Sequence, residues 1–313
     1  MSLIVKNLTK IYGENTVVDH LCFEMKEPGV YALLGRNGAG KTTTIRMMLG
    51  MLSNNGGEVL WNGEPLDPLT TNVGYLAEER GLYPKYTLMD QLLYFAKLKG
   101  IGEKEARARI KYWAARLQVE EYIYPTTEAK KSKHGKGKIK SRTADQLSKG
   151  NQQKIQLMAA LLSDPDLLIL DEPLSGLDPV NADLFKSIIK ECIEKGKYLI
   201  MSSHQMPTIE EFCTDITILN RGKAVVQGNL NEIKKSYGRV NMFVKCEEDI
   251  RSYIEEAGLQ ILEETPDGYH LKVEKEEVSK AFLKNLVDAG ITVVKYELRE
   301  PSLHEIFVEK VGD

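Results

Sequence analysis

A chain of 313 residues, 42% apolar and 28% charged, can bury a full hydrophobic core and is long enough for about two domains. A net charge of −3 argues against a dedicated nucleic-acid binder. No run reaches the ~18 to 20 apolar residues of a spanning helix and MSLIVKNLTK lacks a signal core, so a cytoplasmic chain is expected. Cys22, Cys192, Cys213 and Cys246 are scattered without a C-x-x-C pair, which argues against a disulfide framework or a zinc site.

The first informative element is the run Gly29 to Leu34 (GVYALL), which reads as a buried strand. It leads into Gly35-Arg36-Asn37-Gly38-Ala39-Gly40-Lys41-Thr42-Thr43, and Thr44 to Leu49 continue as a helix. This spacing matches G-x-x-x-x-G-K-[ST]. Glycines at 35, 38 and 40 let the backbone wrap phosphate oxygens, with Asn37, Ala39 and Thr43 completing the loop. Lys41 is placed to reach the β- and γ-phosphates of a nucleotide and Thr42 to offer its hydroxyl to Mg²⁺, which leaves kinases, GTPases and ATPases open. The competing reading is a glycine-rich turn with an incidental lysine, which the strand-loop-helix context disfavours.

Further along, Ala129 to Arg142 carries seven Lys or Arg and no acid. It reads as a solvated loop or as a contact for anionic lipid headgroups. Leu147-Ser148-Lys149-Gly150-Asn151-Gln152-Gln153-Lys154 is a capping serine before a helix running through Leu162. Leu167 to Leu170 suits a central parallel strand ending in Asp171-Glu172-Pro173. At that sheet edge Asp171 can hold the metal and Glu172 can orient and deprotonate water, unless the pair only caps the next turn. Tyr198 to Met201 is a second apolar strand, followed by Ser202-Ser203-His204.

Composition changes between Gly228 and Gly238. Residues 236–313 hold 10 Lys+Arg against 17 Asp+Glu, which leaves 32 against 28 for the rest. The expected domains are therefore 1–230 and 236–313. In the second, Val240 to Val244 alternates as a strand, Glu248 to Ala257 suits a helix, and Leu259 to Glu263 with Tyr269 to Val273 suggest a hairpin. Lys275 to Ala289 is helical and Ile291 to Leu298 a strand, giving a ferredoxin-like β-α-β-β-α-β order with a short helix from Ser302.

GRNGAGKTT, LSKGNQQK, LLILDEP, SGLD and SSH occur in the order and at the kind of spacing found in ABC ATPases, and the chain resembles that family. The resemblance implies an α/β P-loop NTPase with a RecA-like core, an antiparallel β subdomain, a helical subdomain and the small C-terminal α+β domain. Residue by residue it implies that Tyr12 stacks on adenine and that Asp178, with Ser175 to Leu177, couples two sites across a dimer. His204 would be the switch histidine at the γ-phosphate. Ser148 and Gly150 would complete the ATP site of a second ATP-binding subunit, homo- or heteromeric; Lys149 replaces the commoner second glycine of the signature. Glu78 stands where most members carry the Q-loop glutamine and could still ligate Mg²⁺. Tyr83 to Lys99 would either receive a permease coupling helix or form helical core. GYLAEERGLYP and LREPSLHEIFVEKVG are similar to sodium-extrusion-type (NatA-like) exporter ATPases, which implies a multi-spanning permease, a peripheral place on the inner membrane face and export of a cargo that the resemblance does not fix. A soluble ABC ATPase of translation or DNA repair is the alternative. It would be expected to bring a coiled-coil insertion, C-x-x-C pairs or two cassettes, which the sequence lacks.

Overall fold

Leu3–Tyr12 (β1) and Asn15–Met25 (β2) place leucine, valine and phenylalanine on one face and pair antiparallel. Gly56–Trp61 (β4) and Glu64–Pro65 (β5) extend them into a four-stranded antiparallel sheet of order β2-β1-β4-β5. Gly29–Leu34 (β3), buried at every position, belongs instead to a six-stranded sheet. Its other strands are Val73–Leu76 (β6), Leu167–Asp171 (β7), Tyr198–Ser203 (β8), Asp215–Asn220 (β9) and Lys223–Asn229 (β10), in the order β10-β9-β3-β8-β7-β6. The pairs β3-β8, β3-β9, β7-β8 and β6-β7 are parallel, and β7 and β8 are buried throughout. Strands covered on both faces explain why these segments read as continuous apolar runs without alternation.

The computed structural model describes residues 1–78, 81–124 and 142–312. All of the basic stretch 129–142 except Arg142 lies outside the described residues, as do Glu79 and Arg80 of GYLAEERGLYP. Lys41–Met48 (α1) leaves the end of β3 through the glycine loop. Leu88–Leu98 (α2), Glu103–Arg116 (α3), Glu120–Ile123 (α4) and Lys149–Leu161 (α5) form a helical layer, in which α5 also packs on β6. Pro179–Glu194 (α6) precedes β8. Leu3, Leu21, Leu33, Ile45, Met48 and Ile169 belong to one hydrophobic cluster, so the antiparallel sheet, the parallel sheet and α1 share a core. Burying such a side chain contributes roughly 1.5–3 kcal/mol, which fixes the frame on which the site is mounted.

The chain divides into two compact units, Met1–Gln205 with Phe212–Gln227, and Met206–Glu211 with Gly228–Asp313. The second unit contains Met206–Glu210 (α7), Leu230–Tyr237 (α8), Asn241–Cys246 (β11), Arg251–Glu256 (α9), Gln260–Thr265 (β12), Gly268–Lys272 (β13), Glu276–Asp288 (α10), Val293–Arg299 (β14) and Leu303–Val311 (α11). Its antiparallel sheet has the order β12-β13-β11-β14, the arrangement of a split β-α-β unit. Met242, Val244, Leu271, Phe282 and Leu286 form its separate core. Within this unit Glu210 of α7 pairs with Lys234 at 2.5 Å and accepts the Leu303 N–H at 3.1 Å. The short segment following Gln205 is thereby held by α8 and by the first turn of α11. Among the described residues no helix is long and apolar enough to cross a membrane.

Candidate nucleotide-binding and catalytic site

The glycine loop is built by close packing. Gly35 has φ +156° and a Cβ there would stand 2.7 Å from the Leu219 carbonyl oxygen; Gly40 has φ +107° and a Cβ would stand 2.7 Å from the Val17 carbonyl oxygen. At Gly40 the positive φ and the missing space both demand glycine. The backbone then turns directly into α1, so Lys41 is its first residue and the helix N-terminus opens at the loop. Helix N-termini carry unpaired N–H groups and partial positive charge, which suits them to phosphate.

Lys41 is buried, and its Nζ donates to the carbonyl oxygens of Gly35 at 2.8 Å and Arg36 at 3.4 Å. The same Nζ lies 3.2 Å from Glu172 Oε1, an ion pair without hydrogen-bond alignment, both side chains being about 95% buried. Thr42, on the next position of α1, donates its hydroxyl to Asp171 Oδ1 at 3.3 Å. Asp171 is the last residue of β7 and sits opposite Ser202 of β8 in the parallel register. The Ser202 hydroxyl donates to Asp171 Oδ1 at 2.5 Å and accepts the Glu172 N–H at 2.9 Å. Asp171 Oδ2 is buried and has no hydrogen-bond partner among the described residues.

Burial pushes the Asp171 carboxyl above the usual carboxylate range, and the hydrogen bonds from Ser202 and Thr42 offset only part of that. Glu172 follows the strand with φ +48°, a left-handed conformation that is uncommon outside glycine, and its side chain is 5% exposed. His204, one residue past β8, is at 2.9 Å from Glu172 Oε2 through Nδ1 and keeps 44% of its side chain exposed. Tyr75 of β6 lies close enough that the Asp171 charge, after burial, helps push its hydroxyl up to about 12.

The structure thus brings Lys41, Thr42, Asp171, Glu172 and His204 into one cluster at the C-terminal edge of the parallel sheet, joined by hydrogen bonds and by the Lys41–Glu172 ion pair. Among the described residues Tyr12, Ser148 and Asp178 make no hydrogen bond to it. Tyr12 ends β1, half exposed, with Lys10 Nζ 4.9 Å over its ring. Asn37 and Gly38 are exposed at the loop apex, Ala39 is buried, and Thr43 lies within α1. Ser148 is exposed and caps α5 by accepting the Asn151 N–H, and Gly150 lies in the first turn of that helix. Asp178 caps α6, accepting from the Asn181 N–H at 2.9 Å and from its side-chain amide at 2.5 Å; these bonds hold its carboxyl below the usual range. Glu78 lines a polar cavity of about 860 Å³ together with Lys149, Gln153, Glu172 and Ser175.

Ser202 was not singled out by motif reading. It lies in the SSH run, but the resemblance assigns a role there only to His204; the physical signal is a hydroxyl in a buried central strand, where an unpaired polar group would be costly. The buried, partnerless Asp171 Oδ2 beside a threonine hydroxyl forms a hard-oxygen donor set that fits Mg²⁺.

A parallel sheet, a glycine loop opening into a helix, and a carboxylate pair at the neighbouring strand end define a P-loop ATPase. Residues 18–175 match the family described as ABC transporter, and residues 228–311 match the C-terminal domain of DrrA1-3-like ATP-binding proteins. The chain is 42% identical over 311 residues to the uncharacterized ABC transporter ATP-binding protein YhaQ of Bacillus subtilis, covering 99% of this chain and 98% of that protein. It is 31% identical to the bacitracin transport ATP-binding protein BcrA of Bacillus licheniformis, covering 100% of this chain and 98% of the relative. A solved structure titled as the ATP binding subunit of an ABC transporter superposes with a TM-score of 0.66 at 29% identity, covering 76% of this chain and 94% of the other. The chain belongs to the ABC transporter ATP-binding protein family, and it is an ATPase.

Proposed function

We propose that this ATPase works as a dimer that closes on two ATP molecules and drives a separately encoded, multi-spanning permease from the inner face of the membrane. The observation that carries the reading is the convergence of Lys41, Thr42, Asp171, Glu172 and His204, drawn from sequence positions up to 163 residues apart and joined through hydrogen bonds and the Lys41–Glu172 ion pair. Lys41 and the N–H groups at the start of α1 would hold the phosphates. Tyr12 would stack on the adenine. Thr42 and Asp171, with Glu78 from the adjoining cavity, would hold Mg²⁺, which supplies charge neutralisation at the phosphate oxygens.

Glu172 then orients and deprotonates the attacking water, and His204 holds the Glu172 carboxylate from the opposite side while facing the γ-phosphate. The ion pair between Lys41 and Glu172 gives way as the lysine turns to the phosphates, which releases the base for water. Ser148 and Gly150 of the second subunit cover the γ-phosphate, so loss of phosphate removes the attraction that holds the dimer shut.

Membership of the sodium-extrusion-type exporter group is supported by GYLAEERGLYP and the closing LREPSLHEIFVEKVG. Outward movement is supported by relatives named for bacitracin transport and, in Bacillus subtilis LnrL at 28% identity, linearmycin resistance. The test is Glu172→Gln: ATP binding persists, turnover is abolished, and an ATP-dependent dimer accumulates on size exclusion. Normal hydrolysis by this variant removes Glu172 from the role of base. Pull-down from native membranes identifies the permease, and recovery of a soluble macromolecular complex in its place contradicts the transport role.

A further inference from the structure

Ser202 occupies the C-terminal end of β8 with no exposed surface, following Leu199, Ile200 and Met201, which are equally buried. A hydroxyl at such a place is unfavourable unless both its donor and its acceptor capacity are used. Here they are used on two groups of the chemistry. The O–H donates to Asp171 Oδ1, and the lone pairs accept the Glu172 N–H.

The first bond has a directional consequence. Asp171 Oδ1 accepts from both Ser202 and Thr42, which fixes the carboxylate rotation and leaves Oδ2 as the oxygen with no partner among the described residues. The second bond acts on backbone. Glu172 holds φ +48°, a left-handed conformation disfavoured for a non-glycine residue, and the Ser202 bond to its N–H is a restraint at the strained residue itself. Parallel pairing places Ser202 directly across from Asp171, so the contact is set by the register of two central strands and not by a mobile loop.

We propose that Ser202 is a positioning residue for ATP hydrolysis, its buried hydroxyl locking the metal-facing carboxylate of Asp171 and the backbone of Glu172 into a single preorganised unit. The inference rests on the roles assigned to Asp171 and Glu172 above. A serine holding a ligating carboxylate acts through that ligand, and loss of such partners typically lowers metal affinity or activity by about 10- to 100-fold.

The experiment compares Ser202→Ala, Ser202→Thr and Ser202→Cys with the parent and with Asp171→Asn. Affinity for a fluorescent ATP analogue is measured in EDTA and across a Mg²⁺ titration, alongside steady-state turnover and circular dichroism. The expected result for Ser202→Ala is unchanged affinity in EDTA, a Mg²⁺ midpoint raised about 10-fold or more, and a matching fall in turnover. Ser202→Thr, which keeps the hydroxyl, restores the midpoint. Ser202→Cys fills the volume with a weak donor and falls between, and it carries the test if the alanine variant does not fold. A parental Mg²⁺ midpoint in both Ser202→Ala and Ser202→Cys overturns the proposal. So does an equal loss of nucleotide affinity in EDTA, which marks a structural role only. If Asp171→Asn itself keeps the parental Mg²⁺ dependence, it is the assignment of Asp171 that fails.

Discussion

Asp171 is held in a state that suits chemistry and not stability. Its carboxylate is 1% exposed, one oxygen lacks any partner among the described residues, and burial raises its pKa above 3.8. A carboxyl with a folded pKa above its unfolded value favours folding only where it is protonated, so this contribution appears as pH falls through the raised value and is lost as pH rises. At neutral pH the charge is therefore a liability. Asp171→Asn removes the charge at nearly constant shape, and we expect a higher melting temperature for the nucleotide-free protein, by about 2–4 °C for each kcal/mol relieved. The same variant loses turnover and any gain in melting temperature from MgATP over ATP in EDTA. Calorimetry in both conditions checks this, and a lower melting temperature for Asp171→Asn contradicts the account of strain stored at a functional site.

The convergence of the candidate residues was legible because phosphate chemistry dictates residue type at fixed spacing: Lys41 follows the loop glycine, and Asp171-Glu172 ends an apolar strand. Ser202 was not legible, since its partners lie 31 and 30 residues away and nothing local marks the register that pairs them. The left-handed backbone of Glu172 was hidden for a related reason, because glutamate carries no sequence preference for that region.

At the level of elements, periodicity and caps located most segments, and departures occurred where a side chain claimed the backbone. The helix expected from Glu248 begins at Arg251. Glu248 is held elsewhere: its carboxylate accepts the Thr292 N–H at 2.8 Å and the Thr292 hydroxyl at 3.2 Å, and Asp249 accepts the Arg251 N–H. The helix expected from Thr44 begins three residues earlier, because the turn at Gly40 delivers Lys41 already in helical geometry. The basic insertion offers no such comparison, lying outside the described residues apart from Arg142.

The short helix from Ser302 illustrates the opposite case, in which local chemistry settles the outcome. Ser302 accepts the Glu305 N–H at 3.2 Å, Glu305 accepts the Ser302 N–H at 2.6 Å, and Arg299 pairs with the Glu305 carboxylate at 3.1 Å. Burial alone raises the Glu305 pKa, yet the bonds from Ser302 and Arg299 bring it net below 4.5. Its stabilising contribution is thus present at neutral pH and is lost as pH falls through the depressed folded value. Ser302→Ala should destabilise the second unit by about 1 kcal/mol, the usual cost of an N-cap serine. Urea melts at pH 7 and pH 4 measure it, and the difference between variant and parent shrinks at the lower pH if the box is the cause.

For the whole molecule, the proposed site shared between two subunits is a property that a single protomer cannot display. Ser148 stands exposed at the start of α5 and makes no hydrogen bond to the cluster of Lys41 and Glu172 among the described residues. On the proposed reading it acts on a nucleotide held by another copy, and this can be tested without any permease. Ser148→Asp keeps an excellent N-cap, so α5 stays intact while a negative charge faces the incoming phosphate. Lys41→Ala removes the phosphate cation but leaves Ser148 untouched. Each variant alone is expected to be inactive. Mixed together they form some dimers in which the intact Lys41 of one subunit meets the intact Ser148 of the other, and turnover reappears with a dependence on the product of the two concentrations. With sites completed within one chain, every subunit in the mixture carries a defect, and no mixing ratio restores hydrolysis.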